Sequence, residues 1–316
     1  MTSADISGPK CSIVLTCYLG LRWIERTIES VLSQTYQNWE LVIVNDASPD
    51  DSAPLLERYR QRDSRIIVVT HPTNLGIART CNRGVRESSG TYVSFLDQDD
   101  LLEPNKLDLQ VRYLEQHPDA GVVWGRVELI DAEGRPLGER KLHDPKEGSL
   151  FLPFFEKGAA PLISCLFRRS LLDRVGLFDE TLEGNEDFDF MLRVAHATSF
   201  GFVPEFVVEQ RVYEGSFSQT DRMVFDQFRL SDVLASAWPQ HSGLVRRHRS
   251  RAHLVTAHYL VKTQRIEQAR EHFFRSALLQ PGTIKTWALW LIARLPSRLR
   301  DRLPGRLRLS PEKYLK

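Results

Sequence analysis

No run in the 316-residue sequence reaches the roughly 18 consecutive apolar residues that a bilayer-spanning helix needs. Cysteine is scarce: Cys11, Cys17, Cys81 and Cys165 are the four, and their spacing matches no metal site. That pattern fits reduced, buried thiols better than a disulfide framework. Charge of one sign is also lacking. A formal net charge of +1 removes the electrostatic signature of a nucleic-acid binder. No G-x-G-x-x-G follows the first apolar run and no Walker-type glycine loop occurs, which counts against a dinucleotide enzyme or a P-loop NTPase. The segment MTSADISGPK has no apolar signal-peptide core, so the expected location is the cytoplasm, with the inner membrane surface left open.

What is present is an alternation. CSIVLTC is a short β-branched run of the kind that buried parallel strands show, and WIERTIESVLSQT places Ile24, Ile28, Val31 and Leu32 at helical spacing. ELVIVND, RIIVVTH and TYVSFLD continue as strands, separated by the helical patterns APLLERYRQR and GIARTCNRGVRES. Pro104 is then suited to open a helix over NKLDLQVRYLEQH. This series predicts an α/β fold, an open and mostly parallel sheet with helices on its faces. Farther on, AGVVWGRVELID and PLISCLFRRS read as strands, NEDFDFMLRVAHAT as a helix, and FGFVPEFVVEQRVY as a strand pair or one strand bent at Pro204. From about Thr220 helical patterns dominate, with a helical hairpin closed by Pro281. The expected division is residues 1–219 as an α/β domain and residues 220–316 as a helical region with a basic tail.

One stretch raises a chemical question. VSFLDQDD crowds Asp97, Asp99 and Asp100 directly behind an apolar strand, where carboxylates repel one another. A solvated turn would tolerate them, and so would a site for a hard cation. In open parallel sheets ligands gather at the carboxyl ends of the strands. Three polar clusters fall there: Thr16 to Tyr18, Asn45 to Ser48, and Asp97 to Asp100.

The segments SIVLTCYLGLRWIERTIESVLSQTYQNWELVIVNDASPDDS, NLGIARTCNRGVRESSGTYVSFLDQDD and GNEDFDFMLRV, in that order, resemble glycosyltransferase family 2. The likeness runs from about Lys10 to Tyr213. It implies a GT-A fold and an inverting transfer from a nucleotide-diphosphate sugar of the UDP or dTDP type, with a glycan or lipid-linked acceptor. By this resemblance Thr16, Tyr18 and Asp46 match the nucleotide-base site, although Asn45 stands where the family more often has a second aspartate. Arg79 is a candidate to neutralise the diphosphate, while the family's own arginine more often falls at Cys81. Asp97 and Asp99 match the Asp-x-Asp signature, implying Mn²⁺ or Mg²⁺ held by Asp99, with Asp97 beside it or near the ribose. Asp187 aligns with the family's base and Glu186 with its orienting neighbour, and both also suit a helix N-terminus on their own account. Arg193 could pair with an acid or cover the helix. Trp124, Phe154, Phe155 and Phe188 are mostly core by type, with acceptor stacking left open.

Two rivals share the scaffold. A sugar nucleotidyltransferase predicts a glycine-rich basic loop after the first strand, where TCYLGLRW supplies one glycine. A non-catalytic nucleotide- or glycan-binding protein would tolerate loss of Asp99 or Asp187, and both are present. The final stretch joins Trp287 and Trp290 to Arg294, Arg298, Arg300, Arg302, Arg306 and Arg308. It fits either interfacial membrane docking or a packed helix followed by a basic tail.

Overall fold

The β-branched run at Cys11–Cys17 forms strand β1, buried along its length except at Thr16. Around it, in a computed structural model that describes residues 8–141, 146–213 and 221–295, the alternation unfolds as the spacing predicts. Strands β2 (Trp39–Asn45), β3 (Ile66–Thr70) and β4 (Tyr92–Leu96) alternate with helices α1 (Ile24–Leu32), α2 (Ser52–Arg62) and α3 (Ile77–Glu87). These four strands pair in the order β3-β2-β1-β4, all parallel. The chain therefore builds outward on one side of β1 and then crosses to the other. That reversal opens a crevice at the carboxyl ends of β1 and β4, where parallel sheets bind ligands.

Beyond β4 the sheet is mixed. A short β5 (Leu101–Leu102) and helix α4 (Lys106–Gln116) lead to β6 (Ala120–Ile130), β7 (Pro136–Glu139), α5 (Phe151–Lys157), β8 (Leu166–Arg168), α6 (Arg169–Val175), α7 (Glu186–Ala197) and β9 (Ser199–Arg211). β8 runs antiparallel between β4 and β6, β9 is parallel to β6, and β5 and β7 pair antiparallel with β9 and β6. Helix α4 starts at Lys106, two residues after Pro104, whose carbonyl accepts the Thr35 N–H at 3.0 Å. The strand expected over PLISCLFRRS shrinks to three residues, because Pro161 begins a 3-10 turn at Leu162–Ser164. β9 passes through Pro204 as one strand. Val203 opposes Gly125 and Phe206 opposes Arg126, so a bulge absorbs Pro204, which has no N–H to give the ladder.

Helix α1 inserts Ile24 and Ile28 against Ile13, Leu15, Leu41 and Ile43 in one continuous core. Phe95 of β4 meets Phe167, Phe178 and Phe190 edge-on, with ring centroids at 5.9, 5.1 and 6.1 Å. Since Phe190 belongs to α7, this aromatic cluster fixes the first turn of that helix relative to the end of β4.

By internal contacts the chain divides into two compact units, Met1–Ser216 and Phe217–Lys316. The second contains α8 (Asp221–Ala237), α9 (Ser242–Lys262), α10 (Ile266–Leu279) and α11 (Ile284–Arg294). The hairpin is α9 and α10, turning at Gln264 with φ 63°, and α11 completes its core through Leu289 and Ala293 against Ala257, Leu260 and Phe273. Among the described residues, no helix is long and apolar enough to cross a membrane. The basic tail beyond Leu295 lies outside the described residues.

Candidate active site

Register fixes what the strand ends share. Leu15 of β1 pairs with Ile43 of β2 and Leu96 of β4. Half-buried Thr16 therefore lies between Val44, its partner on β2, and the position of Asp97, one residue past the last paired step. The loops beyond are stitched together. The Tyr18 N–H donates to Gln98 Oε1 at 2.8 Å, and Gln98 Nε2 returns a bond to the Tyr18 carbonyl at 2.7 Å. Asn45 Oδ1 accepts the Ser48 N–H at 2.9 Å, and Ser48 Oγ accepts the Leu19 N–H at 2.8 Å. Leu19 and Ala47 hold φ of 56° and 54°, a left-handed conformation that costs about 1 kcal/mol for such side chains. The Tyr18 ring beside these loops is exposed.

Asp46 is buried and already busy. Its Oδ1 pairs with His71 Nδ1 at 2.8 Å and accepts the Leu75 N–H at 2.8 Å, while Oδ2 accepts the Gly76 N–H at 2.9 Å. Those bonds shape the loop leading into α3. Arg79, on the first turn of that helix, lies on Glu180, with Nε at 3.3 Å from its carboxylate. Arg86 and Asn82 share the same acid.

The acidic cluster is compact. Burial, then Asp99 and Asp187, push the Asp97 carboxyl up to about 7. Burial also raises Asp99, against a hydrogen bond from Tyr213 and the charge of Arg211. Asp100 is raised well above the usual range by burial and by its two neighbours, and its Oδ1 accepts the Arg211 N–H at 2.8 Å. Arg211 Nε also donates to the Asp99 carbonyl at 2.9 Å. The end of β9 thus props the loop from beneath.

Helix α7 brings the second acid pair. Asn185, Glu186 and Asp189 are buried, whereas Asp187 keeps a solvent-accessible face. Protein packed around its other sides pushes the Asp187 carboxyl above the ordinary carboxylate range, while the Phe188 N–H, at 2.7 Å from Oδ1, and the charge of Arg140 pull it back. Asp97, Asp187 and Glu186 all act electrostatically on the buried Cys81 thiol, so the acids that the sequence separates surround one place. Asp46 stands apart, two strand spacings or about 10 Å along the sheet from Asp97. Arg193 is structural: it pairs with Asp189 at 2.8 Å and donates to the Val175 and Leu177 carbonyls. Trp124, Phe154 and Phe155 are core, and Phe188 is half-buried beside Asp187.

Four residues of this site escape a reading of the sequence: His71, Arg140, Arg211 and Tyr213. Arg140 follows β7, bonds Gln210, and feels both Asp187 and Asp100. Arg140, Arg211 and Tyr213 reach the acids through the mixed half of the sheet, whose pairing no local pattern announces, whereas His71 follows the parallel strand β3 and meets Asp46. Among the described residues, the group of three carboxylates close enough to hold one ion is Glu103, Glu128 and Glu209, which includes neither Asp97 nor Asp99. Asp97 and Asp99 offer a pair.

A profile described as glycosyl transferase family 2 matches residues 12–176. An uncharacterized glycosyltransferase of Rickettsia typhi is 30% identical over 239 residues, covering 73% of this chain and 72% of that protein. One of Methanocaldococcus jannaschii is 28% identical over 211 residues, covering 66% and 72%. Among solved structures, S. aureus TarS 1-349 in complex with UDP-GlcNAc superposes with a TM-score of 0.59 at 17% identity, over 94% of this chain and 82% of that one. The same protein in complex with UDP gives 0.57 at 18%, over 97% and 87%. At that identity the likeness is one of fold.

Proposed function

Because the chain belongs to glycosyl transferase family 2 and is a glycosyltransferase, we propose that it moves one sugar, with inversion, from a UDP- or dTDP-linked donor to a hydroxyl of a glycan or lipid-linked acceptor in cell-surface polysaccharide, lipopolysaccharide or glycolipid synthesis. The setting is the cytoplasm or the inner face of a membrane. One observation carries the reading: Asp99 and Asp187 both act on Asp97 at the carboxyl end of β4, and Asp187, unlike its buried neighbour Glu186, is exposed.

In this reading Asp46 meets the nucleotide base. Three of its four lone-pair directions are taken by His71, Leu75 and Gly76, which leaves one on Oδ2 for an imide N–H of uracil or thymine. Thr16 and Tyr18 line the same edge, with the Tyr18 ring free to pack on the base. Arg79 needs to leave Glu180 to meet a diphosphate, a small cost for an exposed pair.

The acid loop suits a hard cation. Its carboxylates are held together against repulsion, they are all-oxygen donors, and Mg²⁺ or Mn²⁺ typically takes one or two carboxylates with substrate phosphates and water completing the shell. Asp99 and Asp97 would hold it, and when bound it supplies charge neutralisation for the departing diphosphate. The chain's own residues do the rest. Phe188 pins one Asp187 oxygen, so the other accepts the acceptor hydroxyl proton as its oxygen bonds the anomeric carbon and the bond to the nucleotide breaks. Glu186, the buried neighbour of Asp187 on α7, has the orienting role in this reading.

Thermal denaturation with and without Mn²⁺ tests the donor assignment. UDP or dTDP at a hundredfold excess over Kd is expected to stabilise the protein by about 2.7 kcal/mol. Mn²⁺ should enlarge the shift, and Asp99→Asn should remove the metal-dependent part. Equal shifts with AMP, or none with either pyrimidine nucleotide, would overturn the assignment. Arg140 gives a second check. Arg140→Gln removes a cation that favours the ionised Asp187, so the acid limb of the rate profile should move to higher pH.

A further inference from the structure

Helix α11 is apolar on two opposite sides. Thr286, Leu289 and Ala293 are buried in the second unit's core. Ile284, Trp287, Ala288 and Leu291 recur at three- and four-residue spacing on the other side, where Ile284 is 84% and Leu291 57% exposed. A helix apolar all round is ordinarily covered. Helix α10 extends the bare face with Phe274 and Leu278, one turn apart and both exposed. Phe274 meets Trp287 and Trp290 with ring centroids at 6.2 and 5.4 Å, so the patch is continuous across the two helices.

The charge around this patch selects its occupant. Arg294 lies over Trp290 at 4.9 Å. The acids of α10 are matched within their own helix, Glu267 by Arg270 at 2.6 Å and Glu271 by Arg275. From Ile284 to Lys316 the sequence holds nine Lys and Arg against Asp301 and Glu312. A second copy of this chain would carry the same excess of positive charge and be repelled. An anionic surface would be attracted.

We propose that the outward face of α10 and α11 docks peripherally on a bilayer containing anionic phospholipid. The Ile284, Trp287 and Leu291 stripe enters the headgroup region beside Arg294, and the basic composition of the sequence that follows favours an anionic surface. Eleven residues make a helix about 16 Å long, which lies in the interface and does not reach across a hydrocarbon core of about 30 Å. This contact concerns where the enzyme sits, so it stands or falls apart from the transfer chemistry.

Flotation of the full-length protein with phosphatidylcholine vesicles, with and without a minor fraction of phosphatidylglycerol, tests it. Binding should favour the anionic vesicles by about tenfold or more, weaken with salt, and shift tryptophan emission to the blue. The exposed-residue variant Ile284→Ser with Leu291→Ser should keep its fold by circular dichroism and lose about tenfold in binding. Arg298→Gln with Arg300→Gln and Arg302→Gln should erase the preference for anionic lipid. The proposal fails if the parent ignores both vesicles or if the serine variant floats as well as the parent. It fails equally if the parent is a dimer that the serine variant splits while neither binds lipid.

Discussion

Asp187→Asn is expected to lower kcat by about 10²- to 10⁴-fold while leaving the thermal shift with UDP unchanged, the range that a positioned general base supplies. The amide keeps the size of the side chain and can still meet the Phe188 N–H through its oxygen, so the first turn of α7 should hold. What it cannot do is take a proton. The pH dependence gives an independent readout. Packing raises the Asp187 carboxyl above its ordinary range, and the Phe188 N–H and Arg140 only partly offset this. A base must be ionised to act, so activity should fall as pH drops through a pKa higher than the roughly 3.9 of a free aspartate. In Asp187→Asn that limb should vanish from the residual rate. Full turnover in the variant, or an unchanged acid limb, would remove Asp187 from the base role.

The parts of this site that can be read in the sequence lie on the parallel half of the sheet. There each strand, loop and helix occurs in order, so Thr16, Asp46 and Asp97 fall at strand ends by local pattern alone, and topology brings those ends together. Asp187 is legible only through the family likeness, because its helix reaches the crevice through the aromatic contacts of Phe190 with Phe95 and Phe178, which no periodicity encodes. Arg211 ends, and Tyr213 follows, a strand that returns beneath the Asp-x-Asp loop, and Arg140 follows a short edge hairpin. Such long-range pairing leaves two-residue strands like β5 without any signal. Arg79 shows the opposite limit. The sequence places it correctly on the helix after the loop, but not the acid, Glu180, that occupies it.

A core position away from the crevice carries the second large effect. Lys106 is fully buried on α4, its Nζ donating to Gln110 Oε1 at 2.8 Å and reaching the Cys165 carbonyl at 3.4 Å. Gln110 in turn donates to the Ser164 carbonyl at 2.7 Å, so the pair links α4 to the turn before β8. No carboxylate stands among the groups that act on the ammonium. Desolvation pushes it down to about 7, opposed weakly by the Cys165 and Cys11 thiols. The unfolded chain binds this proton up to about pH 10.5 and the folded one only up to about 7, so between those values unfolding takes up a proton. The lysine thus costs the native state about 5 kcal/mol at or below pH 7, a penalty that shrinks by about 1.4 kcal/mol per unit as pH rises. Methionine has the same reach and no charge. Lys106→Met gives up the bond to Gln110 and leaves its oxygen wanting a donor, a loss of about 1–3 kcal/mol. The net expectation is a variant about 2–4 kcal/mol more stable than the parent at pH 7, with the difference gone near pH 9. Urea unfolding at both values checks it. A variant that is less stable at pH 7, or a difference that does not change with pH, would mean that Lys106 is charged and well accommodated in the core.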